Sequence, residues 1–225
     1  MASKLTSPFE RVYQQLLDCH GPQRWWPGDS PFEVMVGAIL TQNTNWSNVE
    51  KAIANLQEQE CLDASQILAC KDASLAEMLR PSGYFNIKAK RLKAFCRWYL
   101  DAGGFKELSG RDTDELRHAL LHVHGIGPET ADDILLYAFQ RPVFVIDAYT
   151  HRIFSRFGLI EEGLGYEHLR SIFEEALSPD VARYNEYHAL IVKHGKDQCR
   201  PKPRCAECCL KPDCQQGNLA GTGIR

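Results

Sequence analysis

The chain carries nine cysteines, and Cys199, Cys205, Cys208 and Cys214 crowd into the stretch CRPKPRCAECCLKPDC with the spacing C-x5-C-x2-C-x5-C. Four thiolates this close suit a [4Fe–4S] cluster or a structural zinc ion. Structural zinc more often uses two short cysteine pairs, and this stretch has one. Cys209 adjoins Cys208 and competes with it for the third position. Lys193, Lys196, Arg200, Lys202, Arg204 and Lys211 make the same region basic enough to face a phosphate backbone. A second stretch with chemistry is LHVHGIGPETADDILLYAF, residues 121–139. Gly125 and Gly127 allow a sharp turn and a close approach by another chain. The helix starting at Pro128 then offers unpaired N–H groups to an anion. Gly-x-Gly alone fits any helix–helix turn. The longer pattern VHGIGPETADDIL is more specific and resembles a helix-hairpin-helix element, which implies a grip on nucleic-acid backbone without reading of sequence. Asp147 closes the apolar run VFVID and, taken singly, reads as an ordinary helix N-cap.

These residues must be positioned by helices. The segment DSPFEVMVGAIL opens with Ser30 as cap, Pro31 in the first turn and Glu33 reaching back, followed by Phe32, Met35, Val36, Ile39 and Leu40 at helical spacing. Ser47 with Glu50 opens a second helix, Asp72 precedes a short one, and PSGY at 81–84 interrupts. Asn86 caps a helix that Gly103 and Gly104 end, and Asp112 with Glu115 opens the helix before the hairpin. After Asp147, apolar residues recur helically at Ile153, Phe154 and Phe157, then Leu169 to Leu177, then Tyr184 to Val192. Alternating strand patterns are nearly absent, so the fold class is all-α.

With 225 residues, 44% of them hydrophobic, the chain can bury one large core or two smaller ones. No apolar run approaches the roughly 20 residues of a membrane helix, and the first residues hold no secretory signal. A reducing, cytoplasmic setting is expected, where cysteines serve as metal ligands or free thiols. Cys19, Cys61, Cys70 and Cys96 stand apart and read mostly as buried small apolar residues. A net charge of −3 excludes global attraction to nucleic acid, so affinity must come from local patches. The run KAKRLKAFCR, with Lys88, Lys90, Arg91, Lys93 and Arg97, reads as a solvated helix face.

Hairpin, Asp147 and cysteine cluster, in this order, resemble the endonuclease III family of helix-hairpin-helix DNA glycosylases over roughly residues 25–214. The resemblance implies two helical domains with a cleft between them. Residues 31–141 would form a helical barrel with the hairpin, and residues 1–30 and 142–225 the iron–sulfur domain. It implies a [4Fe–4S] cluster on Cys199, Cys205, Cys208 and Cys214, although the family's first gap is usually one residue longer. It makes Asp147 the catalytic aspartate at the cleft, orienting or deprotonating the attacking water and stabilising the positive sugar. Bifunctional members carry a lysine in the hairpin, in the pattern G-x-G-x-K-T-A, where this chain has Glu129 before Thr130. A carboxylate cannot form a Schiff base, so hydrolysis by water without AP-lyase activity is implied. Glu129 is also the kind of first-turn acid that a helix dipole favours.

The segment MVGAILTQNTNW is similar to the family segment whose glutamine, here Gln42, enters the duplex near the flipped nucleotide. With RWWP at 24–27 it resembles the 3-methyladenine DNA glycosylases of endonuclease III type, whose pocket stacks the damaged base between aromatic rings. Trp25, Trp26 and Trp46 are the matching candidates; the plainer alternative is that Trp25 and Trp26 cover the core. The resemblance thus implies a monomeric base excision repair enzyme, of bacterial type, acting on alkylated purines in double-stranded DNA. A substrate class of oxidised or mismatched pyrimidines, a non-catalytic DNA-binding module and an iron–sulfur redox protein are the competing readings.

Overall fold

The computed structural model describes residues 7–25 and 28–219. Its longer elements among these are all helical: α1 (Pro8–His20), α2 (Pro31–Leu40), α3 (Trp46–Glu58), α4 (Ala64–Ala69), α5 (Asp72–Met78), α6 (Phe85–Asp101), α7 (Gly104–Ser109), α8 (Thr113–Leu121), α9 (Pro128–Asp133), α10 (Ala148–Phe157), α11 (Tyr166–Ala176), α12 (Val181–Asp197) and α13 (Gln215–Leu219). The chain divides into two compact units, Trp26–Arg141 and Met1–Trp25 with Pro142–Arg225.

The first unit is built round α2. Val34, Met35, Val36, Ile39 and Leu40 are all buried, which leaves this helix almost no wet face. Ser30 Oγ accepts from Glu33 N at 3.2 Å and starts it. The carboxylate of Glu33 reaches back past the cap to the Asp29 backbone N–H, and it lies 3.3 Å from Gln57 Nε2 on α3. Helix α3 begins before Ser47, because Asn45, in extended backbone, accepts from Asn48 N at 3.1 Å. Helix α6 likewise starts before Asn86, because Tyr84 turns the chain in a left-handed conformation with φ 46°. Beyond α9 the helix widens to a π turn over Ile134–Ala138, closed by Phe139 N to Ile134 O at 3.2 Å.

The basic run on α6 is not the solvated face that its charge suggests. Lys88 is 1% exposed, and its Nζ donates to Leu40 O at 2.8 Å and Ser82 O at 2.6 Å. It satisfies the last carbonyl of α2, a demand every helix end makes. Burial and the nearby Arg91 charge lower its pKa to about 8. Lys93 donates to Cys70 O at 2.6 Å and meets Asp72 at 2.5 Å. Lys90 and Arg97 are the cations of this run that stay exposed.

The second unit has an aromatic core. Phe9 of α1, Phe144, Phe154 of α10, Phe173 of α11 and Tyr187 of α12 interlock with ring centroids 4.5–6.3 Å apart. Tyr187 Oη donates to Phe9 O at 2.7 Å, so the deepest ring is also satisfied. Helix α12 packs against α1 and α10, which sets His188 and His194 on a buried face.

Candidate active site and metal centre

In the first unit the hairpin is held as a rigid piece. Arg117 on α8 grips Asp132 on α9 through a buried fork, Nε to Oδ1 at 2.6 Å and Nη2 to Oδ2 at 3.1 Å. Gly125 has φ +89°, and a Cβ there would collide with the Arg91 side chain. Only glycine suits a position with both constraints. Gln42, just past α2, does not stand free: its Nε2 donates to Gly125 O at 2.9 Å and Thr130 Oγ1 at 3.0 Å, and its Oε1 accepts from Arg91. The structure therefore brings Gln42, Gly125, Thr130 and Arg91 into one polar knot beneath the turn. Glu129 is exposed in the first turn of α9, and Gly127 is the extended N-cap. Trp46 opens α3 with its ring against Gly37, where an added Cβ would stand 3.0 Å from Cη2. That is packing between α2 and α3.

In the second unit Asp147 is 9% exposed and caps α10 in a reciprocal box with Thr150. Its Oδ1 accepts from Thr150 N at 2.7 Å and Thr150 Oγ1 at 2.8 Å. Its Oδ2 lies 3.6 Å from His188 Nε2, ion-pair range rather than a hydrogen bond. Burial pushes this carboxyl's pKa up, but His188 and the Thr150 donors outweigh it, and the net shift is downward. Asp147 is thus an anchored, ionised carboxylate with one oxygen committed to the helix end. The Trp25 ring sits 5.7 Å from the His188 ring, so Asp147, His188 and Trp25 form one cluster. Trp26 lies outside the described residues. The sequence reading missed His188. It is 41 residues beyond Asp147 in the chain and reads there as one more residue on the buried face of α12.

The four cysteines share one hollow. Cys199, Cys205, Cys208 and Cys214 line it, partly open to solvent, with Ile153, Phe157, Leu210 and Arg156. Donors approach two of the sulfurs, Arg156 to Cys199 at 3.5 Å and Gly217 N to Cys214 at 3.4 Å, and His194 Nε2 lies 3.5 Å from Cys208 Sγ. Such donors suit thiolates bound to a metal centre and tune it. Arginines of α10 fasten the loop, Arg152 to Cys199 O at 2.7 Å and Arg156 to Pro201 O at 2.9 Å. Burial pushes the Cys208 and Cys214 thiols up. A cation in the hollow would reverse that preference.

Cys209 is absent from this lining. It is turned to Cys19 at the end of α1, and burial together with Cys19 raises its pKa to about 12. Cys19 is exposed rather than buried, unlike Cys61 and Cys96. His20 beside it bridges to the hollow: its Nε2 lies 3.0 Å from His194 Nδ1. Burial lowers the pKa of His194 to about 4, which keeps it neutral. Among the described residues no helix is long and apolar enough to cross a membrane.

Residues 36–179 match the profile of the HhH-GPD superfamily of base excision DNA repair proteins. A Methanocaldococcus jannaschii protein, itself a proposed DNA repair glycosylase, is 48% identical over 207 residues, covering 91% of this chain and 94% of its own. The H. pylori 3-methyladenine DNA glycosylase, solved bound to 1,N6-ethenoadenine, is 31% identical and superposes with a TM-score of 0.72 over 84% of this chain and 96% of its own. An endonuclease III in non-covalent complex with DNA superposes with a TM-score of 0.82 over 98% of this chain and 99% of its own at 19% identity, a likeness of fold.

Proposed function

Since the chain belongs to the HhH-GPD superfamily of base excision DNA repair proteins and is a DNA glycosylase, we propose that it is a monofunctional one that releases alkylated purines by hydrolysis. The observation that carries this reading is the geometry of Asp147, a buried carboxylate with Oδ1 anchored on Thr150 and Oδ2 3.6 Å from His188 Nε2, its pKa shifted downward. Oδ1 is fixed by the helix end, so Oδ2 is the oxygen that acts. It stabilises the positive charge that develops on the sugar as the C1′–N bond breaks, and it takes the proton of the water that attacks C1′. The electron pair of the broken bond leaves with the base. A 3- or 7-alkylated purine already carries a positive charge and departs neutral, so it needs little acid assistance.

Glu129 stands where bifunctional relatives carry the amine, which supports water as the nucleophile. The Trp25 ring beside His188 supports an aromatic surface for a cationic base, an attraction of roughly 2 kcal/mol or more once water is excluded. The H. pylori enzyme, a 3-methyladenine glycosylase, points to the same substrate class. The hairpin would hold the phosphate backbone of double-stranded DNA through the turn at Gly125–Gly127 and the N–H groups that follow. Extrusion of the base, the step before the chemistry, costs a few kcal/mol and is easiest for damaged bases.

A [4Fe–4S] cluster fits the four-cysteine hollow. No three of its sulfurs belong to the groups whose ligand atoms converge within 4.8 Å among the described residues. Thiolates round one zinc sit about 4 Å apart, given Zn–S bonds near 2.3 Å. When bound, a cluster supplies a cross-link of the loop, while Arg200, Lys202 and Arg204 stay exposed beside it for phosphate.

The deciding experiment compares release of 3-methyladenine, thymine glycol and mismatched thymine from single-lesion duplexes by wild type and Trp25→Ala. The proposal expects 3-methyladenine to be fastest. Trp25→Ala should slow that release by at least tenfold while abasic-site affinity changes little. Faster release of a pyrimidine lesion would overturn the alkylated-purine assignment.

A further inference from the structure

We propose that Cys19, His20 and Cys209 form a second metal site, separate from the four-cysteine hollow, and that it takes a zinc ion. One ligand atom from each, two sulfurs and a ring nitrogen, lie within 4.8 Å of one another, close to the spacing of donors round a single tetrahedral ion. The three come from the two ends of the chain: the last turn of α1 and the loop that follows Cys208. Cys19 is exposed, while His20 and Cys209 are half-buried, so an ion can enter from solvent and still be partly shielded.

His20 is also held in place, its Nε2 lying 3.0 Å from Nδ1 of the buried His194 on α12. A neighbour of this kind orients a ligating ring.

The donor set selects the ion. Two thiolates and an imidazole favour soft or borderline cations over calcium or magnesium. Zinc binding releases two thiol protons and forms two Zn–S bonds and one Zn–N bond, giving a neutral unit from two thiolates, a neutral ring and Zn2+. Water completes the tetrahedron. The ion would tie the end of α1 to the cluster loop, across residues 19 and 209 of the chain. The competing fate of two adjacent thiols is a disulfide, formed with loss of two electrons to dioxygen or peroxide.

The test uses the cluster-loaded protein, purified anaerobically with reductant and dialysed against a chelator-buffered zinc series. Iron, zinc and intact mass are measured on wild type, Cys19→Ser, Cys209→Ser and His20→Asn. The expected result is a single zinc on wild type. Each substitution should weaken its binding by more than about 100-fold, beyond the 10–100-fold typical of outer-shell changes, with iron content unchanged. Exposed Cys19 is the least disruptive position, so its variant decides the outcome even if Cys209→Ser folds poorly. No bound zinc on wild type, equal zinc on wild type and Cys19→Ser, or a mass showing a Cys19–Cys209 disulfide under these conditions overturns the proposal. Absence of iron from wild type would refute the cluster assignment while the zinc count still decided this site, and loss of iron with Cys209→Ser would make Cys209 a cluster ligand and overturn the proposal.

Discussion

Replacing Asp147 with asparagine separates its two jobs. The structural job belongs to Oδ1, which accepts from Thr150 N at 2.7 Å and Thr150 Oγ1 at 2.8 Å. An asparagine oxygen can take both bonds, and Asn ranks with Asp as an N-cap, so α10 should lose no more than about 1 kcal/mol. The proposed chemical job belongs to the charge. General-base catalysis contributes about 10²–10⁴ in rate, and a preorganised charge-stabilising group about 10²–10³. Base release should therefore fall by roughly 10³, about 4 kcal/mol at 1.36 kcal/mol per decade. The assay is single-turnover release of free 3-methyladenine from a duplex in enzyme excess, with anisotropy on an abasic-site duplex as the binding control. The folded pKa of Asp147 is lowered, so its stabilising contribution is complete above the ordinary carboxylate value and is lost as pH falls through the lowered one. Wild-type release should accordingly show no loss from Asp147 protonation between neutral pH and about pH 5. Release by Asp147→Asn within tenfold of wild type would leave Asp147 a helix cap and nothing more. A fall in Tm beyond about 4 °C would mean that the variant reports on folding instead.

Borohydride should trap no covalent adduct between wild type and damaged DNA, whereas Glu129→Lys should yield one on a denaturing gel; a wild-type adduct would end the water mechanism. Asp132→Asn breaks the buried fork to Arg117 and should cost about 3–5 kcal/mol, read as a lower urea midpoint, because a buried guanidinium loses the charge of this carboxylate. Cys205→Ser should lose brown colour and iron together and lower the Tm, since metal binding and folding of this loop are coupled; retained iron would remove Cys205 from the ligand set.

The all-helical character was legible because helix signals here are local. Ser30 and Asp112 cap their helices as their positions suggest, with Asp112 Oδ1 accepting from Asp114 N at 2.8 Å. Where two capping candidates stood close together, the backbone decided. Asn45 took the extended conformation that a cap needs and left Ser47 inside the helix. The left-handed turn at Tyr84 was not legible, because non-glycine residues rarely adopt it and no side-chain signal marks it. Helix α1 ends on Cys19 and His20, and as isolated residues they carried no pattern. Their meaning depends on Cys209, which meets them only in the fold.

The same limit governs charge. Sequence counts Lys88, Arg91 and Lys93 as a basic stripe, but each is taken up by a specific acceptor: a helix-end carbonyl, the Gln42 amide and Asp72. A lysine stem is long enough to bury its carbons and still reach a carbonyl one helix away, so spacing alone cannot tell a solvated cation from a buried clamp. Asp147 shows the reverse case. An N-cap carboxylate is ordinary, and its Thr150 partner is readable four letters into the helix signal. In the proposed mechanism what lifts it beyond a cap is His188, delivered by α12 to the second oxygen. A cap needs one oxygen and a hydrogen-bond donor at the helix end; a carboxylate poised for chemistry needs its other oxygen ionised and facing a reacting group. That second condition is set by packing between helices distant in sequence, so it has to be read from the fold.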